Sequence, residues 1–101
     1  MPENAYTVTV AKDLEDLIPE FVENRRRELE SLRAALAAGA FERLRQLGHR
    51  MRGVGNSFGF ERVSSLGGQI EEGATRANRG ELEARIAEYA DYLSRVRIVY
   101  E

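Results

Sequence analysis

Residues 40–60 read Ala-Phe-Glu-Arg-Leu-Arg-Gln-Leu-Gly-His-Arg-Met-Arg-Gly-Val-Gly-Asn-Ser-Phe-Gly-Phe. Phe41, Leu44, Leu47, Met51 and Val54 recur at spacings of three and four. At about 100° per residue they fall on one stripe, which predicts a helix from about Ala40 to Val54. Gly55-Asn56-Ser57-Phe58-Gly59 is rich in turn formers and reads as its break.

The same period governs the stretches on either side. Upstream, Phe21, Val22, Leu29, Leu32 and Leu36 predict a helix from about Glu20 to Ala38, ended by Gly39. Before it, Asp13 reads as the cap of a short helix carrying Leu14, Leu17 and Ile18. Pro19 then kinks or restarts the chain, because proline suits a first turn and not a helix interior. Downstream, Phe60, Val63, Leu66, Ile70 and Ala74 predict a helix from about Phe60 to Ala77. Gly67-Gly68 lies inside it at a cost of roughly 1 kcal/mol per glycine, the mark of another helix approaching closely. Asn78-Arg79-Gly80 reads as a turn, and Leu82, Ile86, Tyr89, Leu93 and Val96 predict a last helix reaching almost to the end.

Tyr6-Thr7-Val8-Thr9-Val10 alternates like a strand but has no evident second strand to pair with. We therefore expect an extended N-terminal arm over 1–12 and, over 13–101, an all-α antiparallel up-down four-helix bundle with a short leading helix.

Composition bounds the function. A chain of 101 residues holds one domain and one core, without room for a deep enclosed active site. The net charge of −2 argues against a general nucleic-acid binder, since no basic excess exists to displace phosphate counterions. Absence of cysteine removes disulfides and thiolate metal sites and suits a reducing cytoplasm. No apolar run is long enough to span a bilayer, so we expect no membrane partner and a cytoplasmic location. One histidine without a matched His or Glu spacing makes a poor metal site, so no metal is expected.

That one histidine, His49, falls nearly opposite the apolar stripe of its helix. Glu42, Arg45, Arg52, Gly53 and Asn56 share its exposed face. Arg52, one turn on, can lay a guanidinium near an anionic group carried by the ring, and Arg45, one turn back, can add a second charge. Gly53 removes the side chain that would stand over the ring. An exposed histidine among arginines is by itself an ordinary solvated residue; the joint pattern is what argues for chemistry.

His49-Arg50-Met51-Arg52-Gly53 followed by Ser57-Phe58-Gly59 resembles the signature of histidine phosphotransfer (HPt) domains, and the likeness extends over nearly the whole chain. The resemblance implies that His49 is the phosphoacceptor, that Arg52 stands where the family usually has lysine, and that Gly53, with Asn56 near it, is the clearance and docking position. It implies that Glu71, or alternatively Gln69, orients the ring from the third helix. It implies a phosphocarrier with no kinase or hydrolase activity of its own, exchanging a phosphoryl group with the aspartate of response-regulator receiver domains in two-component signalling. A hybrid sensor histidine kinase is a further partner on this reading. No cofactor is implied for this chain; Mg²⁺ belongs to the partner receiver. The competing reading is a helical-bundle adaptor that binds partners without carrying phosphate. The Arg25-Arg26-Arg27 run would be a candidate surface for it, although interleaved glutamates make that run read as a solvated face.

Overall fold

The structure, a computed structural model, describes residues 6–101. In chain order it comprises β1 (Tyr6–Val10), a 3-10 helix (Lys12–Leu17), α1 (Ile18–Ala37), α2 (Phe41–Ser57), α3 (Glu61–Thr75), α4 (Arg79–Arg95) and β2 (Val96–Tyr100). Residues 1–5 of the expected arm lie outside the described residues.

Local chemistry sets most boundaries. Pro19 lies in the first turn of α1, so it restarts the chain and kinks nothing. Asp13 does not cap the leading helix: that position is Ala11, whose carbonyl accepts from Leu14 N–H at 2.9 Å, so the backbone closes the turn itself. Gly39 ends α1 with φ +65°, left-handed as expected. Asn78 caps α4 by accepting from Glu81 N–H at 3.1 Å, so Arg79 and Gly80 are its first turn and not a free bend. Helix α2 runs on to Ser57, past the break expected at Gly55. That glycine is buried, and a Cβ on it would lie 2.6 Å from the Phe60 carbonyl oxygen. It serves close packing, and the reversal falls instead on Gly59 at φ +86°.

Successive helices run antiparallel. Phe21 of α1 stacks on Phe58, just past the end of α2, with centroids 4.6 Å apart, while Glu28 and Ser31 lie beside Leu47. Gly55 of α2 meets Ser64 of α3, and Gly48 meets Glu71. Arg62, early in α3, donates to Glu88 at 2.9 Å, whereas Gly73, near its end, faces Leu82. Arg79 donates to the Leu36 carbonyl at 3.1 Å and the Tyr89 hydroxyl to Glu28 at 2.9 Å, which closes α4 onto α1. Leu32, Leu44, Met51, Val63, Ile70, Leu82 and Tyr89 are fully buried at the centre. All of them belong to the stripes read from the sequence.

The arm is the correction. β1 is not unpaired: it forms a parallel two-stranded ribbon with β2, in register from Tyr6 beside Val96 to Val10 beside Tyr100. Val8 and Val10 are buried against the bundle. The partner strand was hidden because Val96 continues the apolar spacing of α4, although Val96-Arg97-Ile98-Val99-Tyr100 is itself rich in β-formers.

One charged side chain belongs to the core. Glu28 is buried between Tyr89 and Arg25, whose Nε lies 3.2 Å away. Burial raises its carboxyl above the ordinary carboxylate range, more than Arg25, the Tyr89 hydrogen bond and Arg50 lower it.

Candidate functional site

Helices α2 and α3 come together through glycines. A Cβ on Gly48 would lie 2.6 Å from the Glu71 backbone nitrogen and 2.7 Å from the Gly67 carbonyl oxygen. A Cβ on Gly67 would lie 2.5 Å from Met51 Cβ and 2.6 Å from the Arg52 nitrogen. No side chain fits at either position, so the two backbones nearly touch beside His49.

That proximity brings a short carboxylate to the imidazole. Glu71 Oε2 lies 3.1 Å from His49 Nδ1. The histidine side chain is 62% exposed while that of Glu71 is only 19% exposed, so a covered group holds an open one. A carboxylate only accepts hydrogen bonds, so Nδ1 carries the proton. In the neutral ring the lone pair is then on Nε2.

The second carboxylate oxygen faces Arg52. Arg52 Nη1 lies 3.5 Å from Glu71 Oε1, an ion pair too long for a good hydrogen bond, and Oε1 is otherwise buried without a partner. Arg52 is thus held loosely and remains largely exposed. Its alkyl stem lies over Gly68, where a Cβ would meet Arg52 Cδ at 3.4 Å.

The other anticipated residues fall in different places. Arg45 gives its hydrogen bonds to Glu42, at 3.0 and 2.7 Å, and not to His49. Those bonds hold its guanidinium above its ordinary value and the Glu42 carboxyl below its own. Gly53 is open: a Cβ there would have nothing within 4 Å. Asn56 is exposed in the last turn of α2, its backbone N–H donating to Ser64 Oγ at 2.8 Å. Gln69 is turned away from His49 and lines a groove of about 250 Å³ with Glu81 of α4. Of the two α3 candidates, only Glu71 meets the ring.

Sequence reasoning missed two roles: Gly48 admits α3 beside the histidine, and Glu42, already placed on the exposed face of His49, engages Arg45. Gly48 had a usable signal: it precedes His49 on the flank of the helix where a glycine has no turn to make. Among the described residues, no group of three or more acidic, histidine or cysteine side chains is placed to hold a metal ion. None of the described helices is long and apolar enough to cross a membrane.

A protein-family model described as "Hpt domain" matches residues 16–98. Neither a curated protein nor a solved structure matches the chain.

Proposed function

This chain belongs to the Hpt domain family, whose members are phosphocarriers of histidine phosphorelays, and we propose that His49 is the residue that carries the phosphoryl group. The observation that supports this is the exposed imidazole tied through Nδ1 to Glu71, which leaves Nε2 free toward solvent.

The transfer follows from that geometry. Nε2 attacks the phosphorus of an aspartyl phosphate on a receiver domain, roughly in line with the bond that breaks. The P–O bond to the aspartate cleaves and its electron pair leaves with the carboxylate. The Nδ1 proton stays on the ring, and Glu71 balances the positive charge that the new N–P bond creates there. Arg52, loosely held by Glu71, turns its guanidinium to the transferred oxygens. The reverse step uses the same groups. Mg²⁺ and the remaining polar groups are supplied by the receiver. Gly53 leaves room for that domain to close over the ring, and Asn56 lies further along the same exposed edge. Arg45, bound to Glu42, contributes at most a distant charge. The partners are response-regulator receiver domains and a hybrid sensor kinase, and the setting is the cytoplasm.

The test is incubation with a radiolabelled phosphorylated receiver domain. An acid-labile, alkali-stable label on this chain, absent from His49→Ala, supports the relay. An unlabelled wild-type chain across a full panel of receivers defeats it and leaves the adaptor reading.

A further inference from the structure

In this slightly acidic chain, the exposed arginines of the helices are mostly neutralised. Arg26 pairs with Glu23, Arg33 with Glu30, Arg45 with Glu42, Arg52 with Glu71, Arg62 with Glu88 and Arg76 with Glu72. Apart from Arg79, which donates to the Leu36 carbonyl, the exceptions are Arg27, Arg43 and Arg50. Arg27 donates only to the Asn24 side chain, at 2.8 Å, and no carboxylate pairs with any of the three among the described residues. All three line one open groove of about 270 Å³ between α1 and α2, together with Arg25. The carboxylate in that groove, Glu28, is engaged directly by Arg25 and Tyr89, and Arg50 attracts it only from beyond ion-pair distance.

The groove adjoins His49 on one side only. At about 100° per residue, Arg43 and Arg50 lie roughly a third of a turn from His49 toward α1, while Arg45 and Arg52 lie on the opposite flank toward α3. On the α3 flank each arginine has a carboxylate partner within 4 Å; on the α1 flank Arg43 has none, and Arg50 shares the buried Glu28 with Arg25 from a greater distance. Anything approaching His49 from solvent meets an uneven field.

We infer that the groove lined by Arg27, Arg43 and Arg50 is a docking surface for an acidic face of the protein that exchanges phosphate with His49, and that it fixes which way round that protein sits. This rests on the reading of His49 as the phosphocarrier. A protein face fits better than a small anion for two reasons. Arg43 and Arg50 are seven residues apart on one helix, about 10 Å, too far for one phosphate to bridge. All three arginines are exposed, and the one buried donor of the groove, Arg25 Nε, already faces Glu28, so no enclosed anion pocket is built there. A row of carboxylates along a helix or loop would span the stripe and gain speed of association from it.

Two measurements test this. The first uses a receiver domain that labels His49 and compares wild type with Arg43→Glu/Arg50→Glu. The expected result is about a tenfold loss of kcat/KM at low salt with kcat unchanged, and a wild-type salt dependence that the variant lacks. Arg43→Gln/Arg50→Gln should fall between them and serves if charge reversal impairs folding. An unchanged kcat/KM, with His49 still labelled, overturns the groove and leaves the phosphocarrier reading standing; absence of any label overturns both. The second is a titration of the ¹⁵N-labelled chain with a deca-glutamate peptide and, separately, with inorganic phosphate. Peptide-induced shifts confined to residues 24–31 and 43–50 support the inference. Shifts spread over all arginine-bearing faces, no shifts, or equal saturation by phosphate each overturn it.

Discussion

Glu71 Oε2 on α3 stands 3.1 Å from His49 Nδ1 on α2, so the orientation of the ring is set by a neighbouring helix and not by its own. The contact ought to govern the tautomer. In wild type the neutral ring carries its proton on Nδ1; in Glu71→Ala it reverts to a mixture, visible in the ¹⁵N shifts of the imidazole. A carboxylate that orients a reacting imidazole in this way is worth about tenfold or more, so Glu71→Ala should slow labelling of His49 by about that factor. Glu71→Gln, which keeps an acceptor, should retain most of the rate. An unchanged tautomer in Glu71→Ala would remove Glu71 from the mechanism.

Gly53 separates function from stability. With nothing within 4 Å of its absent Cβ, a larger residue meets no clash and replaces the poorest non-proline helix former. Gly53→Leu should therefore hold or raise the Tm, by up to about 1 kcal/mol of stability, while slowing transfer from a receiver that must close over the ring. A variant that transfers at the wild-type rate would show that the position is not an approach path.

The neighbouring glycines of α3 should behave oppositely to each other. Gly67→Ala drives a Cβ to 2.5 Å from Met51 and 2.6 Å from the Arg52 backbone, which forces the helices apart at a cost of about 1–3 kcal/mol. Since that seam also seats Glu71, transfer should fall with stability. Gly68→Ala meets only the flexible stem of Arg52 at 3.4 Å and should be neutral or mildly stabilising. Urea denaturation of both variants distinguishes them.

The buried Glu28 predicts a pH effect whose sign is fixed. Its folded-state carboxyl is raised, chiefly by burial, above the ordinary value of 4.5. The native chain therefore holds this proton more tightly than the unfolded chain, and the group costs stability as pH climbs through and above that window. Glu28→Gln should gain on wild type as pH rises from about 4.5 toward neutrality, and lose that relative gain as pH falls back. Glu28→Ala should instead be strongly destabilised, by about 3–5 kcal/mol, because Arg25 and the Tyr89 hydroxyl lose their partner. Paired denaturation curves at the two pH values read both effects.

The four helices were legible because Leu44, Leu47 and Met51, like Val63, Leu66 and Ile70, repeat at a period that only a helix satisfies. The outward placement of His49 followed from the same arithmetic. Glu71 and Gln69 were not separable in that way, because the choice depends on how α3 is rotated against α2. That rotation is set by Gly48 and Gly67, whose contribution is the absence of atoms. Arg45 escaped for a different reason: Glu42, one turn before it, competes successfully for its guanidinium. The partner of β1 was hidden because Val96 satisfies helix and strand patterns equally, and pairing across the whole chain leaves no local signal.

That ribbon has a kinetic consequence. The contacts of α2 with α3 and of α3 with α4 join neighbours in sequence, whereas Tyr6 meets Val96 across all four helices, a far longer loop to close. Strand pairing is therefore expected to come late, as a clasp on an already folded body. Contacts made that late, absent from the transition state, slow unfolding more than they hasten folding. Weakening the clasp, for instance at buried Val10, would shorten the lifetime of the native state while leaving the refolding rate almost untouched.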